Sequence, residues 1–232
     1  MTRTLLLLHG GGVASWMWRP LIEHLGEGWI AIAPDLPGHG ANAAEPYRSH
    51  DETVDALISL IGERATGPVS VVGFSLGAQL AVLLASRRPD LVERVTVISA
   101  QAKPSSWPTA TLALLGMAAP LARNERFARA QAKELFVPPA LFAEYFENSQ
   151  AISKETLLAA VGENIRFTVP EAWGSFPGEA LILVGERERR IMHESARLLA
   201  ESRPGDELEI VEGCGHGIPL QRPEWLARRL AA

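Results

Sequence analysis

The sequence predicts an α/β fold built on a mostly parallel sheet of six strands, and three observations carry that expectation. Short apolar runs of strand length alternate with helix-period segments over most of the chain, as parallel strands joined by crossover helices require. The runs are almost continuously apolar, which suits strands covered on both faces. A chain of 232 residues, 47% hydrophobic and 21% charged, is also long enough for one domain with an insertion and a sizeable core.

In chain order, the strands are expected at residues 4–8, 29–33, 69–73, 94–98, 180–184 and 207–211. Between the second and third, Val54, Leu57, Ile58 and Ile61 fall at i, i+3, i+4 and i+7, and Ser49 with Glu52 has capping-box spacing, so a helix starts near Ser49. A further apolar helix follows Ser75 to about residue 88 and stops before Pro89. From 103 to 170 strands give way to helical patterns, among them Leu141, Phe142, Tyr145 and Phe146, then Leu157, Leu158, Val161 and Ile165. Pro104 and Pro108 mark the way in, and Pro170, Pro177 and Gly178 the way out. The expected organisation is a core of residues 1–102 and 171–232 with a helical cap inserted at 103–170. There is no internal repeat or low-complexity tract.

Charge and cysteine content narrow the function classes. A net charge of −5 argues against nucleic-acid binding, which needs a basic footprint to release counterions. Cys214 stands alone, so the chain has neither an internal disulfide nor a multi-cysteine zinc site. The longest uncharged apolar run, 112–122, is interrupted by Gly116 and Pro120 and is too short to span a membrane. The first residues lack the apolar length of a signal peptide, and a cytoplasmic location is expected.

The strongest chemical signal is Gly73-Phe74-Ser75-Leu76-Gly77, which closes a strand and opens a helix. A serine in so tight a turn needs small residues two before and two after it, and both are glycine. The hydroxyl is then held out above the sheet. Because serine is a weak nucleophile near neutral pH it needs a base. Of six histidines, His216 is placed best, in the loop Gly213-Cys214-Gly215-His216-Gly217 after the last strand. His24 on a helix, and His50 and His193 at helix starts, suit solvated or capping roles.

The serine elbow, the late Gly-x-Gly-His and their order resemble the α/β-hydrolase superfamily over nearly the whole chain. Leu8-His9-Gly10-Gly11-Gly12 is similar to the family's oxyanion-hole turn, residues 18–25 to its first helix, and Asp35-Leu36-Pro37-Gly38-His39-Gly40 to its loop after the next strand. The fold implied is a reduced, six-stranded α/β-hydrolase sheet lacking the first two strands of the full fold. His9 and His39 would stabilise turns. The resemblance places the acid of a catalytic triad after the fifth strand, where Val184-Gly185-Glu186-Arg187-Glu188 has no aspartate; Glu188 matches the position and Glu186 is the alternative. It implies oxyanion donors at the N–H of Leu76 and of Gly11, or Gly12 if the turn is shifted by one, and no cofactor or metal.

The activity implied is hydrolysis of a carboxylic ester or thioester through a Ser75, His216, Glu188 triad and an acyl-enzyme. Trp107, Leu112, Leu115, Met117, Phe127, Phe136, Phe142 and Phe146 could roof an apolar acyl site, although an amphipathic helix buries such residues anyway. Arg123, Arg126, Arg129 and Lys133 are spaced to share one helix face. Together with a likeness to carboxylesterases of biotin synthesis, that stripe suggests docking of an acyl-carrier protein as an alternative to a solvated face. Rival classes are carbon-carbon bond hydrolysis, and a lyase, cyclase or ligand-binding protein on the same fold. A dinucleotide-dependent oxidoreductase would use residues 10–15 as a phosphate turn and Asp35 as the ribose acid, but Ser15 replaces its last glycine and the serine elbow goes unexplained.

Overall fold

The structure, a computed structural model, describes residues 3–231; Met1 and Thr2, part of the N-terminal reading above, and Ala232 lie outside it. Six strands form one sheet: β1 (Arg3–Leu8), β2 (Trp29–Ile32), β3 (Val69–Phe74), β4 (Val92–Ile98), β5 (Glu179–Gly185) and β6 (Glu207–Val211). Their order is β2-β1-β3-β4-β5-β6 and every pairing is parallel, so the sheet is wholly rather than mostly parallel. The helices are α1 (Arg19–Ile22), α2 (His50–Arg64), α3 (Leu76–Arg87), α4 (Pro108–Ala118), α5 (Glu125–Glu134), α6 (Phe142–Ala151), α7 (Lys154–Arg166), α8 (Arg190–Glu201), α9 (Ile218–Gln221) and α10 (Pro223–Ala231).

The strand period of two divides the apolar residues between two cores. On β1, Leu6 and Leu8 enter one and Leu5 and Leu7 the other; on β5, Ile182 and Val184 oppose Leu181 and Leu183 in the same way. Buried on both sides, these strands read as continuous apolar runs. Helix α3 lies in the first core with nearly every residue from Leu76 to Ala85 buried. Helix α2 starts as its spacing predicts: Ser49 is the N-cap and its Oγ accepts the Glu52 N–H at 3.1 Å.

Two local expectations are corrected. In place of one helix over 18–25, a 3₁₀ turn at Ser15–Trp18 leads into the single turn of α1, and His24 falls in the turn beyond it. The bonds from His24 N to Leu21 O and Leu25 N to Ile22 O span three residues, so the chain tightens there instead of propagating as α-helix. His50 is the first residue of α2 but is buried, not solvated. Its ring is held between the Tyr47 hydroxyl at 2.7 Å and the Gln79 Oε1 at 2.9 Å, and burial lowers its pKa.

Helices α4 to α7 all lie between β4 and β5, forming a helical insertion. Strand order places the site beneath it. β1 leads out to the edge strand β2, and β3 returns on the other side of β1, so the loops after β1 and β3 diverge and leave a crevice at the carboxyl ends of two neighbouring strands.

Candidate active site

Ser75 joins β3 to α3 with φ 52° and ψ −111°, a backbone conformation that costs about 1–3 kcal/mol unless its surroundings hold it. Its N–H donates to Ile98 O at 2.8 Å, anchoring the turn to β4. A Cβ on Gly73 would lie 2.3 Å from Gly77 O, and one on Gly77 would lie 2.2 Å from Leu8 O at the end of β1. Both glycines are thus required by backbone approaching backbone, the second because the elbow sits directly against the neighbouring strand.

The loop after β6 brings His216 over this elbow. Its Nε2 lies 3.1 Å from Ser75 Oγ, and its Nδ1 lies 2.8 Å from Glu188 Oε2. An ionised carboxylate only accepts, so Nδ1 carries the proton and Nε2 is left as the acceptor facing the serine hydroxyl. Glu188, not Glu186, faces the imidazole; the Glu186 carboxylate accepts the Gly213 N–H at 2.8 Å. The Glu188 side chain is 1% exposed. Burial pushes its pKa up, but hydrogen bonds and charge from His216, with donors from Ser99 Oγ and Gly185 N–H, outweigh burial and hold the carboxyl below its ordinary range.

Ser99 was not legible as a site residue. It follows β4 with φ 54°, is buried, and donates its hydroxyl to Glu188 Oε1 across 89 residues of sequence. Phe136, at φ 58°, packs its ring so closely on the His216 loop that a Cβ on Gly215 would come 2.6 Å from it.

The turn after β1 supplies the opposite wall. Gly11, Leu76 and Ser75 share a cavity of about 680 Å³. Leu76 is the first residue of α3, where helix N–H groups have no intrahelical acceptor. The peptide joining Gly10 to Gly11 is held by its carbonyl, which accepts from His9 Nδ1 at 2.8 Å. In a trans peptide the N–H points away from the carbonyl, so the Gly11 N–H is turned from His9. The Gly12 N–H donates to His39 Nε2 at 3.3 Å, so it is already committed. His9 accepts the Leu36 N–H at 2.9 Å through Nε2 and His39 donates to Pro37 O at 2.9 Å, so both histidines brace turns. Burial drops His9 to a pKa of about 3 and lowers His39, keeping both neutral.

The cavity is walled mainly by apolar side chains of the insertion, including Leu115, Phe127, Leu135, Ile152, Leu157 and Val161. Of the aromatic and aliphatic residues suggested as a roof, Leu115 and Phe127 line it, whereas Trp107 and Met117 are 77% and 72% exposed. Phe142 and Phe146 pack on the second core. The basic stripe is broken. Arg123 belongs to the 3₁₀ turn before Asn124 and lines the cavity, while Arg126, Arg129 and Lys133 lie on α5. Asn124 ends the turn because its side chain caps α5, accepting the Arg126 and Phe127 N–H groups.

No group of three or more His, Cys, Asp or Glu among the described residues is placed to hold a metal. The Asp35 carboxylate accepts from Ser15 N at 2.7 Å and Ala41 N at 2.8 Å, which ties two turns together. Among the described residues no helix is long and apolar enough to cross a membrane. Chemically, an imidazole oriented by a buried carboxylate can take a proton from a serine hydroxyl, and free N–H groups beside that serine can hold a developing oxyanion.

A wholly parallel sheet, a strained serine elbow at its switch point and a helical insertion above it define a class, and the chain belongs to the alpha/beta hydrolase family, whose model matches residues 5–229. It is an enzyme of the esterase and lipase type. The chain is 30% identical to Lipase LipV of Mycobacterium tuberculosis over 238 residues, covering 96% of this chain and 89% of that protein. It is 26% identical over 240 residues to the pimeloyl-[acyl-carrier protein] methyl ester esterase of Chromobacterium violaceum, covering 97% and 92%. Among solved structures, the fold superposes on bromoperoxidase from Bacillus anthracis with a TM-score of 0.86 at 18% identity, covering all of this chain and 91% of that one.

Proposed function

We propose that this protein is a serine esterase or thioesterase that works through an acyl-enzyme, with Ser75 as nucleophile, His216 as general base and then acid, and Glu188 orienting the imidazole. One observation carries this reading: the line from Ser75 Oγ through His216 to Glu188, hydrogen-bonded at 3.1 and 2.8 Å, which begins at the wall of a large cavity. Ser75 Oγ attacks the carbonyl carbon while His216 Nε2 takes its proton. The carbonyl oxygen becomes an oxyanion held by the N–H groups of Gly11 and Leu76, each worth about 3 kcal/mol on precedent. Collapse breaks the ester or thioester bond, and the leaving alcohol or thiol takes the proton from His216. Water then repeats the sequence in reverse, releasing the acid and restoring Ser75.

The lining favours an apolar acyl group, and residues 103–170 act as its cap over a core of residues 1–102 and 171–232. The relative from Chromobacterium is named for an ester carried on an acyl-carrier protein. Toward such a carrier this chain offers Arg126 and Lys133, but Arg129 is paired with Glu125 and lies over the Phe142 ring at 4.1 Å. A small apolar ester is therefore the reading preferred. A KM for a carrier-borne ester that rises with salt would restore the carrier; a salt-independent KM leaves small esters.

The test is hydrolysis of p-nitrophenyl acetate, butyrate and octanoate by the wild type and Ser75→Ala, with intact mass after a fluorophosphonate. Ser75-dependent turnover with one adduct on Ser75 is expected. A folded protein giving neither would overturn the hydrolase mechanism in favour of binding or lyase chemistry on the same fold.

A further inference from the structure

The oxyanion turn is clamped from above as well as from below. Asn148 lies on α6 in the insertion, 5% exposed, and reaches across 136 residues of sequence to donate from Nδ2 to Gly12 O at 3.0 Å. Its Oδ1 accepts the Gly40 N–H at 2.8 Å. Gly12 has φ +82°, so its conformation is one that a local backbone preference does not enforce. Three successive peptides of the turn are thereby fixed by three side chains: the Gly10 carbonyl by His9, the Gly12 N–H by His39 and the Gly12 carbonyl by Asn148. The two histidines belong to the core, and Asn148 comes from a segment that packs on it.

We infer that Asn148 is a positioning residue through which docking of the helical insertion sets the oxyanion turn, so that the Gly11 N–H reaches its working orientation only with the insertion seated. This rests on the assignment of Gly11 as an oxyanion donor. Other buried polar contacts join the same parts without touching that turn. The Thr156 Oγ1 accepts the Tyr47 N–H at 3.2 Å, and Gln79 and Asn164 bond to each other at 3.0 and 3.1 Å. Asn148 is distinguished by its contact with the residue next to the proposed donor. A small displacement of a transition-state donor affects kcat more than substrate binding, because the ground-state carbonyl depends on it little.

The experiment compares Asn148→Ala, Asn148→Asp and Thr156→Val with the wild type on p-nitrophenyl butyrate. Affinity for an alkyl boronic acid, which forms a tetrahedral adduct on serine, is measured alongside. Asn148→Asp retains the acceptor for Gly40 and replaces the attraction at Gly12 O with repulsion, so it tests the contact even if the alanine variant folds poorly. Expected are kcat losses of roughly ten- to a hundredfold in both Asn148 variants, KM within about twofold, and boronate affinity falling in parallel with kcat/KM. Thr156→Val, which loosens the insertion elsewhere, is expected to keep kcat within about twofold. The inference is overturned if folded Asn148→Asp retains wild-type kcat and boronate affinity, or if Thr156→Val loses as much. Failure of the esterase mechanism itself would look different, as turnover that survives Ser75→Ala.

Discussion

Glu188, the acid of the proposed triad, stands where an aspartate is the usual choice. Its longer side chain comes from a turn braced by the Glu188 N–H bond to Gly185 O at 3.1 Å, and it returns toward β5, where Oε1 takes donors from Ser99 and Gly185 while Oε2 faces His216. Four features limit its freedom: the turn, two donors and burial. Glu188→Gln supplies an amide that can donate to His216 Nδ1, which favours the tautomer with the proton on Nε2 and removes the acceptor for Ser75. Loss of roughly 10³- to 10⁴-fold in kcat is expected with the fold intact, whereas Glu186→Gln, away from the imidazole, should stay within about twofold. Equal losses in both would dissociate Glu188 from the imidazole's orientation.

The elbow between β3 and α3 is a junction where sequence requirement and geometry coincide. Gly77 faces Leu8 O and His9 O at 2.2 and 2.6 Å from an added Cβ, so any side chain there must push α3 away from β1. Gly77→Ala is expected to destabilise by about 3 kcal/mol, read as a lower denaturation midpoint, while alanine at Gly62, where an added Cβ meets nothing within 4 Å, should not. An unchanged midpoint for Gly77→Ala would mean that the close approach is not maintained in solution. The elbow could be read from the chain because its constraint is local: a strand, a tight turn and a helix within some twenty residues. Short α1 and the Asn124 break were missed for the converse reason. Each depends on a turn or cap that competes with helix propagation, and apolar spacing alone does not weigh that competition.

Across the whole molecule, buried neutral histidines tie loops, helices and insertion together. His9, His39 and His50 all have pKa values lowered mainly by burial, His9 to about 3 against an ordinary 6.5. A base whose folded pKa is depressed imposes no penalty above its unfolded value. As pH falls below about 6.5 the unfolded chain takes protons that the folded chain refuses, and stability is lost until the folded pKa is reached. For His9 that amounts to roughly 2 kcal/mol by pH 5. Glu188 acts in the same direction only at lower pH, since a carboxyl held below its ordinary 4.5 keeps its contribution above that value and loses it as pH falls further, so the histidines alone govern the range down to pH 5. Tm should therefore fall between pH 7.5 and pH 5; a constant or rising Tm would show that these histidines titrate normally.

Strand number, a mostly parallel sheet, the serine elbow and the His216 loop were legible in the chain because each rests on local chemistry: period, turn sterics, and glycine where backbones meet. The family resemblance already put Glu188 ahead of Glu186, but the part played by Ser99 and the reach of Asn148 were not legible. Nothing marks a serine after a strand or an asparagine within a helix until folding brings Ser99 to Glu188 across 89 residues and Asn148 to Gly12 across 136. A hydrogen bond depends on distances of tenths of an ångström between groups far apart in the chain, and only packing of the sheet and its helical insertion sets those distances.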